Sequence, residues 1–372
     1  MANTNRVVAF IDLSILEENY KTIKAKVSPE TRILCVVKAD AYGHGAVEVC
    51  RRIESIGISY LGVATIDEAV DLRSNGINSP ILVMSGIMPW DDISVFLQQN
   101  VTPVVYELSV LTKLCSMAKS FSNPLKIHLK FDTGMGRLGF MPDDASLVIN
   151  HLAGVNNIQV EGLMSHFSSS EIRDEHGIGQ INAFKKIIEV FLKKGFQPAI
   201  IHMANSGAII NYPEAHFTMV RTGISLYGSH SSKELKDQLP TRQVMKFVSK
   251  IAFIREFPKG YPLSYGRTFI TPKNTRVAYI PVGYADGYPR ALSNKGTVLI
   301  HDMRCDVIGR VCMDWFLVDV TDYGNISEND EVTLLGESIT DCITADDIAE
   351  ISGTIPYEIL CKISKRVTRI YK

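Results

Sequence analysis

The sequence has no cysteine pair spaced as CxxC, no run of about 18 apolar residues and no excess of either charge, and each absence closes off a class of protein. Its seven cysteines (Cys35, Cys50, Cys115, Cys305, Cys312, Cys342 and Cys361) are odd in number and scattered, which fits neither a disulfide framework nor a zinc site, so no metal is expected. A reducing compartment suits them. The opening segment MANTNRVVAFIDLS lacks a charged region followed by an apolar stretch and a small-residue cleavage site; no export, no membrane span and a cytoplasmic location are therefore expected. With 39 basic against 40 acidic side chains and no long Lys/Arg run, the chain lacks the charge needed to grip a phosphate backbone, and no nucleic-acid partner is expected. Linkers, repeats and low-complexity tracts are absent too. What remains is a globular composition, 46% hydrophobic and 21% charged, and a small molecule as the expected partner.

At 372 residues the chain is roughly twice the usual single domain, yet an α/β barrel alone can take about 250 residues. From residue 33 to about 228, short apolar β-branched runs alternate with segments of helical period, the pattern of repeated βα units. The runs are 33–37, 60–64, 81–84, 102–105, 126–131, 158–164, 199–203 and 219–226, and eight is the number of strands in a closed TIM-type barrel. Between the first two, Ala46, Val49, Cys50 and Ile53 lie at i, i+3, i+4 and i+7, with Gly57 where a helix cap belongs. An open doubly wound sheet is the alternative; it would need a Gly-rich turn after a strand, which is missing. After about residue 240 the runs become strand-like: 247–257, 277–282, 297–300, 306–311, 316–320 and 331–335. Two helices, 344–351 and 357–367, and a closing strand, 368–371, complete the pattern. The expectation is an eight-stranded (β/α)8 barrel over 1–238, followed by a mainly β domain over 239–372, with the extreme N-terminus free to pack against the latter.

In such a barrel the residues just after the strands line the site. Lys38 follows the first run directly, in VVKADAYGHG; a lysine leaving a buried strand is costly to hydrate less, and the desolvation lowers its pKa toward a nucleophilic amine. The alternative is a lysine snorkelling to solvent. Arg137 follows the fifth run, His166 the sixth, Asn205 and Ser206 the seventh, and Arg221 lies on the eighth. Each alone could be structural. Together they suit an anionic cofactor and a substrate carboxylate.

The segments VVKADAYGHG, HLKFDTGMGRLGF, HMANSG, VRTGISLYG, SYGRTF, PVGYADGYPR and GRVCMD resemble those of bacterial alanine racemases, over nearly the whole chain. That resemblance implies pyridoxal 5′-phosphate held as a Schiff base on Lys38, and a homodimer with shared active sites in which Tyr265 of the partner acts as the second base. Lys38 would then serve D-alanine and Tyr265 L-alanine, as inversion by removal and return of a proton on opposite faces requires. By the same resemblance His166 supports the Tyr265 phenolate through Arg221, and Arg221 faces the pyridine nitrogen. Tyr42, Asn205, Ser206 and Tyr357, with the N–H groups of Gly223 and Ile224, belong to the cofactor site. Arg137 and the Met313 N–H hold the substrate carboxylate, Tyr284 and Tyr357 narrow the entrance, and Lys130 aligns with a lysine that some members carry as a carbamate. The D-alanine would feed peptidoglycan, or the enzyme would act in alanine catabolism.

Three rival readings stand beside this one. A broad-specificity or serine racemase, or a decarboxylase of basic amino acids, would use the same fold. A non-catalytic carrier of the cofactor would have a barrel but no β domain carrying Tyr265, Cys312, Met313 and Asp314. A glycoside-hydrolase-like barrel would use paired carboxylates such as Asp40 and Asp132, leaving Lys38 and the arginines unexplained.

Overall fold

The structure is a computed structural model that describes residues 5–230 and 232–372; residues 1–4, the start of the segment read as unexported, lie outside the described residues. After a first strand β1 (Val7–Ile11) the chain runs through β2 (Arg32–Val36), β3 (Tyr60–Val63), β4 (Ile81–Val83), β5 (Thr102–Val105), β6 (Leu125–Lys130), β7 (Ile158–Met164), β8 (Ile200–His202) and β9 (Met219–Thr222). Strands β2 to β9 close into a parallel barrel in sequence order, with Arg32 to Cys35 of β2 paired to Met219 to Thr222 of β9. Their runs read as continuously apolar because helices cover the barrel outside and side chains fill it inside. Helix Ala46–Ser55 shows the match of pattern to packing. Val49, Cys50 and Ile53 are fully buried, and Gly57 follows the helix at φ +78°.

The remaining strands are β10 (Met245–Lys250), β11 (Phe253–Phe257), β12 (Pro262–Leu263), β13 (Phe269–Ile270), β14 (Thr275–Ile280), β15 (Thr297–Ile300), β16 (Met303–Ile308), β17 (Phe316–Asp319), β18 (Glu331–Glu337), β19 (Cys342–Ile343) and β20 (Thr368–Tyr371). One sheet takes the order β11-β14-β17-β16-β15-β18-β10-β1-β20, with β19 on β18, while β12 and β13 form a separate ribbon. Strand β1 thus lies between β10 and β20, antiparallel to one and parallel to the other.

Several expected elements differ. The run 219–226 is strand only to Thr222, after which Ile224–Tyr227 is a 3-10 turn, and the run 306–311 is strand over Met303–Ile308 instead. The run 247–257 is two strands, because Ile251 N–H turns to the Asp330 carbonyl and Ala252 N–H to that of Tyr279, which passes the chain from one set of partners to another. The helix expected over 357–367 is Pro356–Cys361 only. Beyond it the Arg369 guanidinium collects the carbonyls of Ile363, Ser364 and Val367, which holds that stretch in turns. Helix Ala345–Ser352 forms behind a Thr344 capping box with Asp347. No helix among the described residues is long and apolar enough to cross a membrane.

Candidate active site

Lys38 stands at the C-terminal end of β2, and the backbone after it turns the wrong way for L-residues. Ala39, Asp40, Ala41 and Tyr42 all sit at φ +52° to +54°, a full turn of left-handed helix, continued by Gly43 at +79°. Each non-glycine residue there costs about 1–2 kcal/mol against its right-handed alternative, so the turn survives only where surrounding contacts overdetermine it. They do so from three sides. Glu68 accepts from Ala39 N–H at 2.7 Å with one carboxylate oxygen and from Ala64 N–H at 2.7 Å with the other. Asp40 accepts from Ala46 N–H at 2.8 Å, tying the turn to the next helix. The C-terminal segment closes the third side. Arg369 donates twice to the Gly43 carbonyl, and a Cβ on Gly43 would stand 2.4 Å from the Leu360 carbonyl oxygen. The result is a lysine fixed at the mouth of the barrel by rigid backbone.

Around Lys38 is a cavity of about 360 Å³, and most of the residues expected in the site line it: Tyr42, Lys130, Arg137, His166, Asn205, Ser206, Arg221, Gly223, Ile224 and Tyr357. Four of its lining side chains are cations (Lys38, Lys130, Arg137 and Arg221) and none is a carboxylate. Burial, followed by repulsion from Arg137, lowers the Lys38 pKa from the ordinary lysine value. Lys130, 5% exposed, is pulled down to about 8 by burial and by Arg221 and Arg137. Arg221, 2% exposed, is brought by burial to about 9 and keeps its charge at neutral pH. It donates to His166 Nδ1 at 2.9 Å, to the Ser165 and Met203 carbonyls at 2.9 and 2.8 Å, and to His202 Nδ1 at 2.9 Å. Since arginine only donates, His166 must accept with Nδ1 and carry its proton on Nε2; burial and the cations hold it well below the usual histidine range, hence neutral.

The remaining donors that line the cavity are uncharged. Tyr42 is buried with its ring tilted against those of Tyr227 and Tyr357, whose centroids are 4.9 and 5.8 Å away. Ser206 Oγ accepts from Gly223 N–H at 3.0 Å, which leaves the hydroxyl proton, rather than that N–H, free for a ligand. Gly223 must be glycine for a close approach: a Cβ there would meet Tyr42 Oη at 2.8 Å. Asn205 caps helix Ser206–Asn211 by accepting from Ala208 N–H. Neutral hydroxyl donors, an amine and two arginines lining one cavity fit a phosphate-bearing aldehyde of the pyridoxal type.

Tyr265, Tyr284 and Met313 do not line this cavity. They lie on the β domain, 74%, 44% and 53% exposed, and Tyr265 follows Ser264, itself at φ +60°. The cavity also uses residues that strand-end reasoning passed over: Ala64, Met84 and Ser85 after β3 and β4, and Leu138 beside Arg137. The signal for the first three was positional, since Ala64 and Met84 end two of the eight runs and Ser85 follows the second; their small or apolar side chains drew no attention.

Two family descriptions match the chain: the alanine racemase N-terminal domain over residues 11–231 and the alanine racemase C-terminal domain over residues 244–371. Among its relatives, an alanine racemase of Syntrophobacter fumaroxidans is 41% identical over 95% of this chain and 94% of its own. Alanine racemase 2 of Caldanaerobacter subterraneus subsp. tengcongensis is 40% identical over 97% of this chain and 93% of its own. The solved alanine racemase of Clostridium difficile superposes with a TM-score of 0.92 at 38% identity, covering 99% of this chain and 96% of that one.

Proposed function

The chain belongs to the alanine racemase family of isomerases, and from that premise we propose that it interconverts L- and D-alanine with pyridoxal 5′-phosphate in the barrel cavity, as a dimer sharing its sites. The observation that carries the reading is Lys38, partly desolvated, at the end of β2 in a cavity lined by four cations and no carboxylate. The cofactor, joined through its aldehyde carbon to an amine, supplies a ring that takes up charge when a proton leaves the α-carbon.

The protein's own work is to bind, orient and move protons. The hydroxyls of Tyr42, Ser206 and Tyr357, with the Ile224 N–H, hold the phosphate, and the Gly223 cradle lets it approach. Arg221 would face the ring nitrogen as a donor that does not give up its proton, an arrangement that would disfavour side reactions such as transamination. Arg137 takes the substrate carboxylate, aided by the Met313 N–H of a second copy. Lys38 takes or returns the α-proton on the face that serves D-alanine. Tyr265 of the second copy does so on the opposite face, for L-alanine. Its exposure in the single chain supports this division, because a base held in place by a partner is bare until the partner arrives. Lys130 is poised for carbamylation: with a pKa of about 8 and cations around it, a sizeable fraction is the neutral amine that reacts with carbon dioxide, and the product would pair with Arg137. Tyr357, with Tyr284 brought by the second copy, narrows the entrance to admit a methyl side chain. A cytoplasmic setting and a supply of D-alanine to peptidoglycan go with this reading, alanine catabolism being the other use.

The test is incorporation of deuterium at the α-carbon of L-alanine in D₂O, followed by chiral analysis. Exchange accompanied by racemisation is expected; binding of the cofactor with no exchange would turn the reading to a carrier.

A further inference from the structure

Arg221 is the visible end of a chain of hydrogen bonds that crosses the whole barrel. From Arg221 Nη1 the chain runs to His202 Nδ1 at 2.9 Å, from His202 Nε2 to His128 Nδ1 at 2.9 Å, and from His128 Nε2 to Glu161 Oε2 at 3.4 Å. Both imidazoles are fully buried, whereas Glu161 borders a second cavity at the opposite, N-terminal end of the barrel, beside Tyr60 and Lys126. Arginine fixes the direction of every bond. Because it can only donate, His202 accepts with Nδ1 and donates with Nε2; His128 must then accept with Nδ1 and donate with Nε2, and the last member of the chain has to offer an acceptor oxygen, as the Glu161 carboxylate does. Two features of β6 and β7 are shaped to this end. The register between them shifts at Ile127/His128, so Val160 pairs with Ile127 and Gly162 with His128, and Glu161 is the residue left out of the ladder. Gly162 has no side chain to obstruct: a Cβ there would lie 2.7 Å from the His128 ring.

We infer that Glu161 is a positioning residue, acting through His128 and His202 to fix the orientation and hydrogen-bond polarity of Arg221. The idea rests on the proposed role of Arg221 toward the cofactor ring. Electrostatics agree with it. Burial pushes Glu161 up, but hydrogen bonds from His128, Lys126 and Tyr60 outweigh that and hold it at about 2, so the terminal acceptor is charged throughout the neutral range. Burial lowers both histidines, which keeps them neutral and the direction of the chain unambiguous.

The experiment is nitrogen NMR of the ¹⁵N-histidine-labelled, cofactor-loaded protein, with His128 and His202 assigned by single substitutions and alanine kinetics measured alongside. In the wild type both rings should be neutral with the proton on Nε2. Glu161→Gln keeps an acceptor oxygen, so tautomers and kcat should stay as they are. Glu161→Leu should release His128 into mixed tautomers and lower kcat about tenfold or more with little change in KM, the scale seen when an outer partner of a site residue is lost. Should that variant not fold, Glu161→Asp serves instead, since it keeps the charge near Lys126 but draws it out of reach of His128. Tyr60→Phe and Lys126→Met remove the other partners of Glu161 and should move neither readout. The inference is overturned if either wild-type ring carries its proton on Nδ1, if cutting the chain leaves the tautomers in place, or if Tyr60→Phe matches Glu161→Leu in kcat. A wild type that racemises while Glu161→Leu equals it in both readouts defeats only this inference; a wild type that does not racemise defeats the proposed function, and the tautomers still report on the chain.

Discussion

The two regions that carry the proposed site are built on opposite principles. In the barrel, Lys38, Lys130, Arg221 and His166 are set into the packed core, and the backbone beneath Lys38 is held in a left-handed turn by Glu68, Asp40 and Arg369. On the β domain, Tyr265 and Met313 stand out in solvent on short turns. The barrel half is therefore preorganised at a cost borne by its fold, and the β half gains its order on association. Changes in the first should disturb chemistry and stability together; changes in the second should disturb chemistry alone.

Substitutions can break that contrast at several depths. The deepest is Lys38→Ala, expected to lower kcat/KM for racemisation by more than about 10⁴-fold, because the variant loses both the tether and a base; loss of the cofactor's protein-bound absorbance checks the first role independently. Next is Tyr265→Phe, expected to cost about 10²- to 10⁴-fold when L-alanine is the substrate while leaving thermal unfolding unchanged, since the side chain is bare in the single chain. If the sites are shared, unfolding and refolding Lys38→Ala together with Tyr265→Ala should restore about a quarter of wild-type activity, as half the dimers would be mixed and each would own one intact site. No recovery would place Tyr265 and Lys38 in the same chain's site. A smaller effect is expected within the turn. Ala39→Val should destabilise by about 1–2 kcal/mol in urea titrations, whereas Ala39→Gly should change stability by less than about 1 kcal/mol.

A pH-dependent effect concerns Lys130 and is best measured without cofactor. Its pKa is about 8 when folded against an ordinary 10.5. Below about 8 both states hold the proton and the folded protein bears the full cost of a buried charge. Between about 8 and 10.5 the folded state has released a proton that the unfolded state still binds, so stability rises with pH. Lys130→Met should remove that rise; an equal slope in both proteins would show that Lys130 is not its source.

Much of the barrel half was legible because parallel strands covered on both faces read as plain apolar runs, and the polar residues that end them are few. Lys38, Arg137, His166, Ser206 and Arg221 were found in that way and meet in one cavity. Other features had no such signal. Nothing in KADAY, which lacks glycine and asparagine, announces four residues at positive φ; the turn is imposed by partners from distant segments. The hydrogen-bonded chain under Arg221 joins positions 74 and 33 residues apart on three strands, so only the closed barrel brings them together. Tyr265 and Met313 were reached by resemblance, since an exposed tyrosine on a turn looks like any other surface aromatic. The partner switch inside 247–257 was hidden because Ile251, Ala252, Phe253 and Ile254 read as one apolar run across it.

The left-handed turn after Lys38 has a stereochemical consequence. For a D-residue the preferred backbone is the mirror image, so φ near +53° is its relaxed conformation. Replacing the exposed Ala39 by D-alanine through chemical ligation should therefore relieve strain where almost any other position would suffer from it. In this chain the amine proposed to make D-alanine stands immediately before a stretch of backbone for which D-alanine would be the better building block.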